Sequence, residues 1–89
     1  MNTFRLIIST PDGNFYDAEA VCLSVRGIDG DLAVMAGHVP FITSIKPCDC
    51  HIETKDGVSK IGHLNSGLLA VTAESVTLMS SNFCWQQQS

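Results

Sequence analysis

The chain repeats its apolar residues at nearly every second position, and no window of 11 or more residues carries a convincing 3.6-residue period. Successive side chains on a strand point to opposite faces, so this pattern describes half-buried strands and leaves little room for helices. "CDCHIET" (48–54) shows it most clearly. Cys48, Cys50, Ile52 and Thr54 alternate with Asp49, His51 and Glu53. Phe4, Leu6 and Ile8 alternate with Arg5 and Ile7, and Val21, Leu23 and Val25 with Cys22, Ser24 and Arg26. In "FITSI" (41–45), bracketed by Pro40 and Pro47, Phe41, Thr43 and Ile45 share one face. "DAEA" (17–20) is the weakest strand signal, because alanine suits either state.

Turn chemistry separates these runs. "TPDGN" (10–14), "IDGD" (28–31), "KDG" (55–57) and "NSG" (65–67) each break the alternation. Asp-Gly pairs readily take the positive φ that a tight hairpin needs. Short strands with a turn every 8–12 residues predict an all-β fold, an antiparallel β-sandwich of about 8–10 short strands or a small barrel. Two sheets would bury one face each, leaving Arg26, Asp49, Glu53 and Lys60 outside. The 89 residues suffice for one domain, read as 1–84, with a polar tail at 85–89 that starts at the single tryptophan.

Composition narrows the function classes. With 45% apolar and 16% charged residues the chain is not of disordered type. The net charge of −4, with five scattered Lys and Arg, argues against a nucleic-acid binder. "MNTFRLIIST" (1–10) lacks the basic start and long apolar core of a secretory leader. Cys22, Cys48, Cys50 and Cys84 are therefore expected as free thiols in a reducing compartment.

Three clusters bear on chemistry. "CDCH" (48–51) holds zinc-type ligands, but strand geometry turns His51 away from Cys48 and Cys50, and no C-x-x-C knuckle is present. Neither metal nor cofactor is expected. Ser66 lacks a nucleophile elbow, and no phosphate-binding glycine loop occurs. Asp29 and Asp31 flank Gly30 in a turn, and a strand separates them from His38, which disfavours an acid–base pair. His38, between Gly37 and Pro40, reads as a strand-end imidazole or as part of a docking loop. The residues alone describe a β domain that binds rather than catalyses. A free-standing adaptor and a small Cys/His metal module remain the alternatives.

"GIDGDLAVMAGHVPFITSIKP" (27–47) resembles the signature of the epsilon subunit of F-type ATP synthases. Gly27, Asp29, Gly30, Asp31, Gly37, His38, Pro40, Thr43, Lys46 and Pro47 match it in order. "MNTFRLIISTPDGNFYDAEA" and "NSGLLAVTAESVTLMS" extend the resemblance over residues 1–83. Cys48 replaces a usual glycine, Leu68 replaces the second glycine of a Ser-Gly-Gly step, and Ala70 stands where an acid is common. The resemblance implies a non-catalytic rotor subunit at the foot of the central stalk. Its partners would be the gamma subunit and the polar loops of the c-ring, at the cytoplasmic face of a bacterial membrane. It places Asp31 against the ring, and Thr10, His38 and Thr43 near gamma. Family members usually continue into a C-terminal helical pair that can inhibit ATP hydrolysis. This chain, as a short form or a domain alone, is expected to support coupling without that inhibition.

Overall fold

The computed structural model describes residues 2–86, and no helix lies among them. Nine strands run in chain order: β1 (Phe4–Thr10), β2 (Gly13–Gly27), β3 (Gly30–Met35), β4 (Phe41–Ile45), β5 (Cys48–Thr54), β6 (Ser59–Leu64), β7 (Gly67–Val71), β8 (Ser75–Ser80) and β9 (Phe83–Trp85). They fold into two layers of hydrogen-bonded neighbours. One layer is β1-β8-β7-β4 and the other is β3-β2-β5-β6-β9.

β2 belongs to both layers. Its first part pairs β1, and its last part lies between β3 and β5. The change occurs where the register jumps from Ala20↔Thr54 to Cys22↔Glu53, which makes Val21 an extra residue. Such a bulge shifts the inward phase by one residue and bends the strand. Ala20 is buried before it, and Leu23 and Val25 after it. A second bulge, at Phe15, lies between Ile8↔Tyr16 and Ser9↔Asn14. It releases the Phe15 ring to pack on Phe83, with centroids 5.3 Å apart. "DAEA" is strand after all, paired with residues 4–7 of β1.

All pairings are antiparallel except β1–β8, which is parallel. Parallel neighbours need a long connection, and six intervening strands supply it here. The core lies between the layers. Leu6, Ile8, Leu23, Val34, Cys50, Ile52, Leu64, Leu69 and Leu78 are its largest fully buried side chains.

Lys60 is not on an outer face. It shares the phase of Gly62 and Leu64, and its ammonium sits over the Trp85 ring at 4.5 Å and the Tyr16 ring at 5.6 Å. A cation over aromatic faces is attracted by the ring quadrupoles while its stem covers apolar surface. Trp85 pairs Gly62 in β9, and Gln86 N bonds to Ile61 O. The rest of the polar tail, residues 87–89, lies outside the described residues.

Candidate docking surfaces

The outer face of the β1-β8-β7-β4 layer is uncharged across two full rows. One row is Ile7, Thr77, Ala70 and Ile42; the next is Ser9, Met79, Leu68 and Ser44. Ile42, Leu68 and Met79 are 69%, 40% and 38% exposed. Charge gathers on the rim toward β2, where Arg5 donates to both carboxylate oxygens of Asp17 at 2.9 and 3.1 Å. That pair holds Asp17 below the ordinary carboxylate range, chiefly through the Arg5 hydrogen bonds. Exposed apolar side chains on an uncharged face, with charge kept to its rim, are the usual mark of a protein-binding surface.

Three of the four sequence-predicted residues adjoin the uncharged layer, one in the loop before β4, one on β4 and one at the end of β1. His38 sits just before β4, in the loop that Gly37 turns with φ +85°, and its ring lies tilted against Phe41 with centroids 5.0 Å apart. His38 Nδ1 lies 3.1 Å from the Val39 carbonyl. Thr43 is at the middle of β4, half-buried and in phase with Phe41 and Ile45, so it backs the uncharged face from inside. Thr10 is the last residue of β1, across β8 and β7 from β4. Its hydroxyl donates to Gly13 O at 3.2 Å and accepts from Asp12 N at 3.1 Å, closing the β1–β2 turn. Thr10 lines an open depression with Ser44, Leu68 and Met79, and so adjoins the uncharged face.

Asp31 is elsewhere. It is the second residue of β3 in the other layer, and its side chain is 79% exposed. Arg26 Nε donates to its Oδ1 at 3.0 Å. The pair borders an open depression of about 680 Å³ that also holds Ser24, Cys48, Asp49, His51 and His63. Asp49 Oδ1 accepts from Gln86 Nε2 at 2.8 Å and lies 3.0 Å from His63 Nδ1. Those contacts, His63 first, hold the Asp49 carboxyl below its ordinary value. Asp31 and His38 stand at opposite ends of β3, so no acid–base couple forms between them.

The cysteine cluster divides as strand geometry requires. Cys50 is buried opposite Gly62, and His51 is exposed on the other side. Burial pushes the Cys50 thiol up to about 11, so at neutral pH it is a small apolar core group. Among the described residues, no three His, Cys, Asp or Glu side chains are grouped to hold a metal ion. Sequence reasoning did not single out Ile42 and Met79, and it read Leu68 only as a departure from the family pattern. Their signal was present in outward strand positions without a charge.

The fold and its faces define an all-β sandwich with two unlike outer surfaces. Comparison with known proteins then places it. The model of the ATP synthase Delta/Epsilon chain beta-sandwich domain matches residues 3–86, and the chain belongs to that family. It is 35% identical over 80 residues to the ATP synthase epsilon chain of Bacillus velezensis and 32% identical over 80 residues to that of Bacillus licheniformis. Each match covers 90% of this chain and 60% of the relative. Among solved structures, the fold is like that of a chain in the Euglena gracilis mitochondrial ATP synthase OSCP/F1/c-ring assembly. The TM-score is 0.87 at 16% identity, covering 93% of this chain and 53% of that one. A chain in the Tetrahymena thermophila mitochondrial ATP synthase central stalk/c-ring is also similar, with TM-score 0.76 at 16% identity, covering 92% and 66%.

Proposed function

We propose that the chain is a non-catalytic central-stalk subunit of a rotary ATP synthase, tying the gamma subunit to the polar loops of the c-ring. It couples ion translocation to ATP synthesis and hydrolysis without chemistry of its own. One observation carries this reading: the two layers present chemically opposite outer faces. The uncharged face around Ile42, Leu68 and Met79 suits a lasting grip on gamma, with Thr10 and His38 at its borders and Thr43 behind it. The other face carries Asp31 in the open, where a basic ring loop would attract it. Charge of that kind sets orientation and specificity.

A rotor element must pass load between its partners. β2 runs continuously through both layers, so a force on one face reaches the other along covalent backbone. The chain would work at the cytoplasmic face of a bacterial membrane, held there by the complex.

The test is co-purification with the host's gamma subunit in reducing buffer, read by size exclusion with mass detection. A stable one-to-one complex is expected. Absence of a complex with demonstrably folded gamma would overturn the reading and leave a free-standing β-sandwich adaptor.

A further inference from the structure

Two of the chain's three histidines flank one carboxylate on the outer face of the β3-β2-β5-β6-β9 layer. His63 opposes Asp49 in the β5–β6 ladder, and its Nδ1 lies 3.0 Å from Asp49 Oδ1. His51 is two residues from Asp49 along β5, hence on the same face, and it opposes Ser24 of β2. Both rings line the depression that Arg26 and Asp31 border.

The charged and titratable groups around these rings come from four strands. They are Arg26 on β2, Asp31 on β3, Cys48, Asp49 and Glu53 on β5, and Cys84, which opposes His63 from β9. Three carboxylates against one guanidinium leave a surplus of two negative charges while the imidazoles are neutral. Two imidazolium charges cancel that surplus. Imidazole is the side chain that ordinarily changes charge between about pH 5 and 8. Asp49 stays ionised over that interval, because the bonds from His63 and then Gln86 hold its carboxyl below the ordinary range.

We propose that His51 and His63 make the Asp31 docking face proton-switched, attracting a basic partner loop above neutrality and repelling it in mild acid. This regulation rests on the proposed stalk function, in which the partner is the polar loop of the c-ring. Distance decides how the switch acts. Two strand spacings, roughly 10 Å, separate Asp31 on β3 from His51 on β5. That is about one Debye length at physiological salt, so the imidazoles do little to Asp31 itself. They act on a loop that enters the depression, where a cation approaching Asp49 meets an imidazolium on either side. His63 and Gln86 already share Asp49 Oδ1, so a protonated His63 competes from within for that carboxylate. Across the molecule, the two uncharged rows around Ile42, Leu68 and Met79 hold no titratable group, and His38 lies outside them in the loop before β4. Mild acid therefore bears first on the ring-side contact.

The test uses the whole chain, with a tetra-arginine peptide as the basic probe, in amide-shift titrations at low salt and at about pH 7.5 and about pH 5.5. Reducing buffer keeps the four cysteines free. The peptide should perturb amides around Asp31 and Asp49, and its affinity should fall about threefold or more at the lower pH. The double variant His51→Gln with His63→Gln, which keeps His38 and every carboxylate, should bind equally at both. Roughly 1 M salt should erase the difference in the unmutated chain, a comparison that decides the matter even if the double variant folds poorly. Three results overturn the proposal: a probe that binds elsewhere or not at all, an affinity that does not fall with pH, or a double variant as pH-dependent as the unmutated chain. Detergent-purified c-ring then replaces the peptide and should show the same order. A ring that binds at neither pH, while the peptide results stand, removes the stalk reading and leaves the proton-switched face.

Discussion

Arg26 and Asp31 face each other across the β2–β3 ladder, the guanidinium Nε 3.0 Å from the carboxylate Oδ1, with both side chains largely in solvent. An exposed pair of this kind contributes little to folding and much to the local field. Asp31→Lys should therefore leave the melting temperature nearly unchanged. In an assembled complex it should reduce the coupling of ion flow to ATP turnover, measured as proton pumping per ATP hydrolysed. A variant that melts many degrees lower and aggregates would make Asp31 a structural residue.

Met79 and Leu68 lie side by side on the uncharged face, opposite one another in the β7–β8 ladder. Met79→Glu places an unpaired carboxylate there. The side chain is exposed in the free chain, so stability should hold within about 0.5 kcal/mol. Affinity for gamma should fall at least tenfold, because the charge would have to be desolvated on docking. Glu53→Gln, on the other layer, should bind gamma normally. Equal binding by all three chains in titration calorimetry would remove this face from the interface.

Gly62 is buried beneath the Phe83 ring, and a methyl group at that position would overlap the ring atoms. Gly62→Ala should cost about 1–3 kcal/mol, read as a lower urea midpoint with unchanged slope. The strain should loosen β9 first, because Phe83–Trp85 pairs only β6. Trp85 fluorescence should report that loosening before the far-ultraviolet signal changes.

Cys50 makes stability fall in alkali. Its folded thiol titrates at about 11, raised by burial from the ordinary 9.0. Between those values the unfolded chain has lost a proton that the folded chain keeps. The unfolded state is thereby favoured, by at most about 1.4 kcal/mol per pH unit. Cys50→Ala should be less stable at neutral pH and show a flatter decline from pH 9 to 11. Parallel slopes for the two chains in urea titrations would show that Cys50 titrates alike in the folded and unfolded chain, against the burial effect.

Local chemistry made much of this molecule legible. Alternation in "CDCHIET" located β5 and its inward side, and it showed that His51 could not join Cys50 at one metal. The glycines of the turns announced themselves too: Gly13, Gly30, Gly37 and Gly57 all take positive φ, and no other described residue does. The order from Gly27 to Pro47 carried the family resemblance. Asp31 and His38 were separable in sequence because a strand of known rise must lie between them.

Other features depended on partners distant in the chain. Val21 reads as the inward residue of its run, yet the pairing of β2 with both β1 and β5 makes it a bulge and buries Ala20 instead. Lys60 reads as a surface charge, until Tyr16 and Trp85 arrive from β2 and β9 to receive it. β8 completes a parallel pair with β1 across six intervening strands, a neighbour that period-two patterning does not specify. Leu68 and Ala70 are unremarkable departures in a one-dimensional string. Only when β7 is set between β4 and β8 do they join Ile42, Thr77 and Met79 in one uncharged surface. By itself the sequence determined where strands begin, turn and end, because backbone sterics and alternation act over a few residues. The tertiary structure alone decided which strands became neighbours and which outward residues became a face, because those depend on long-range burial and register.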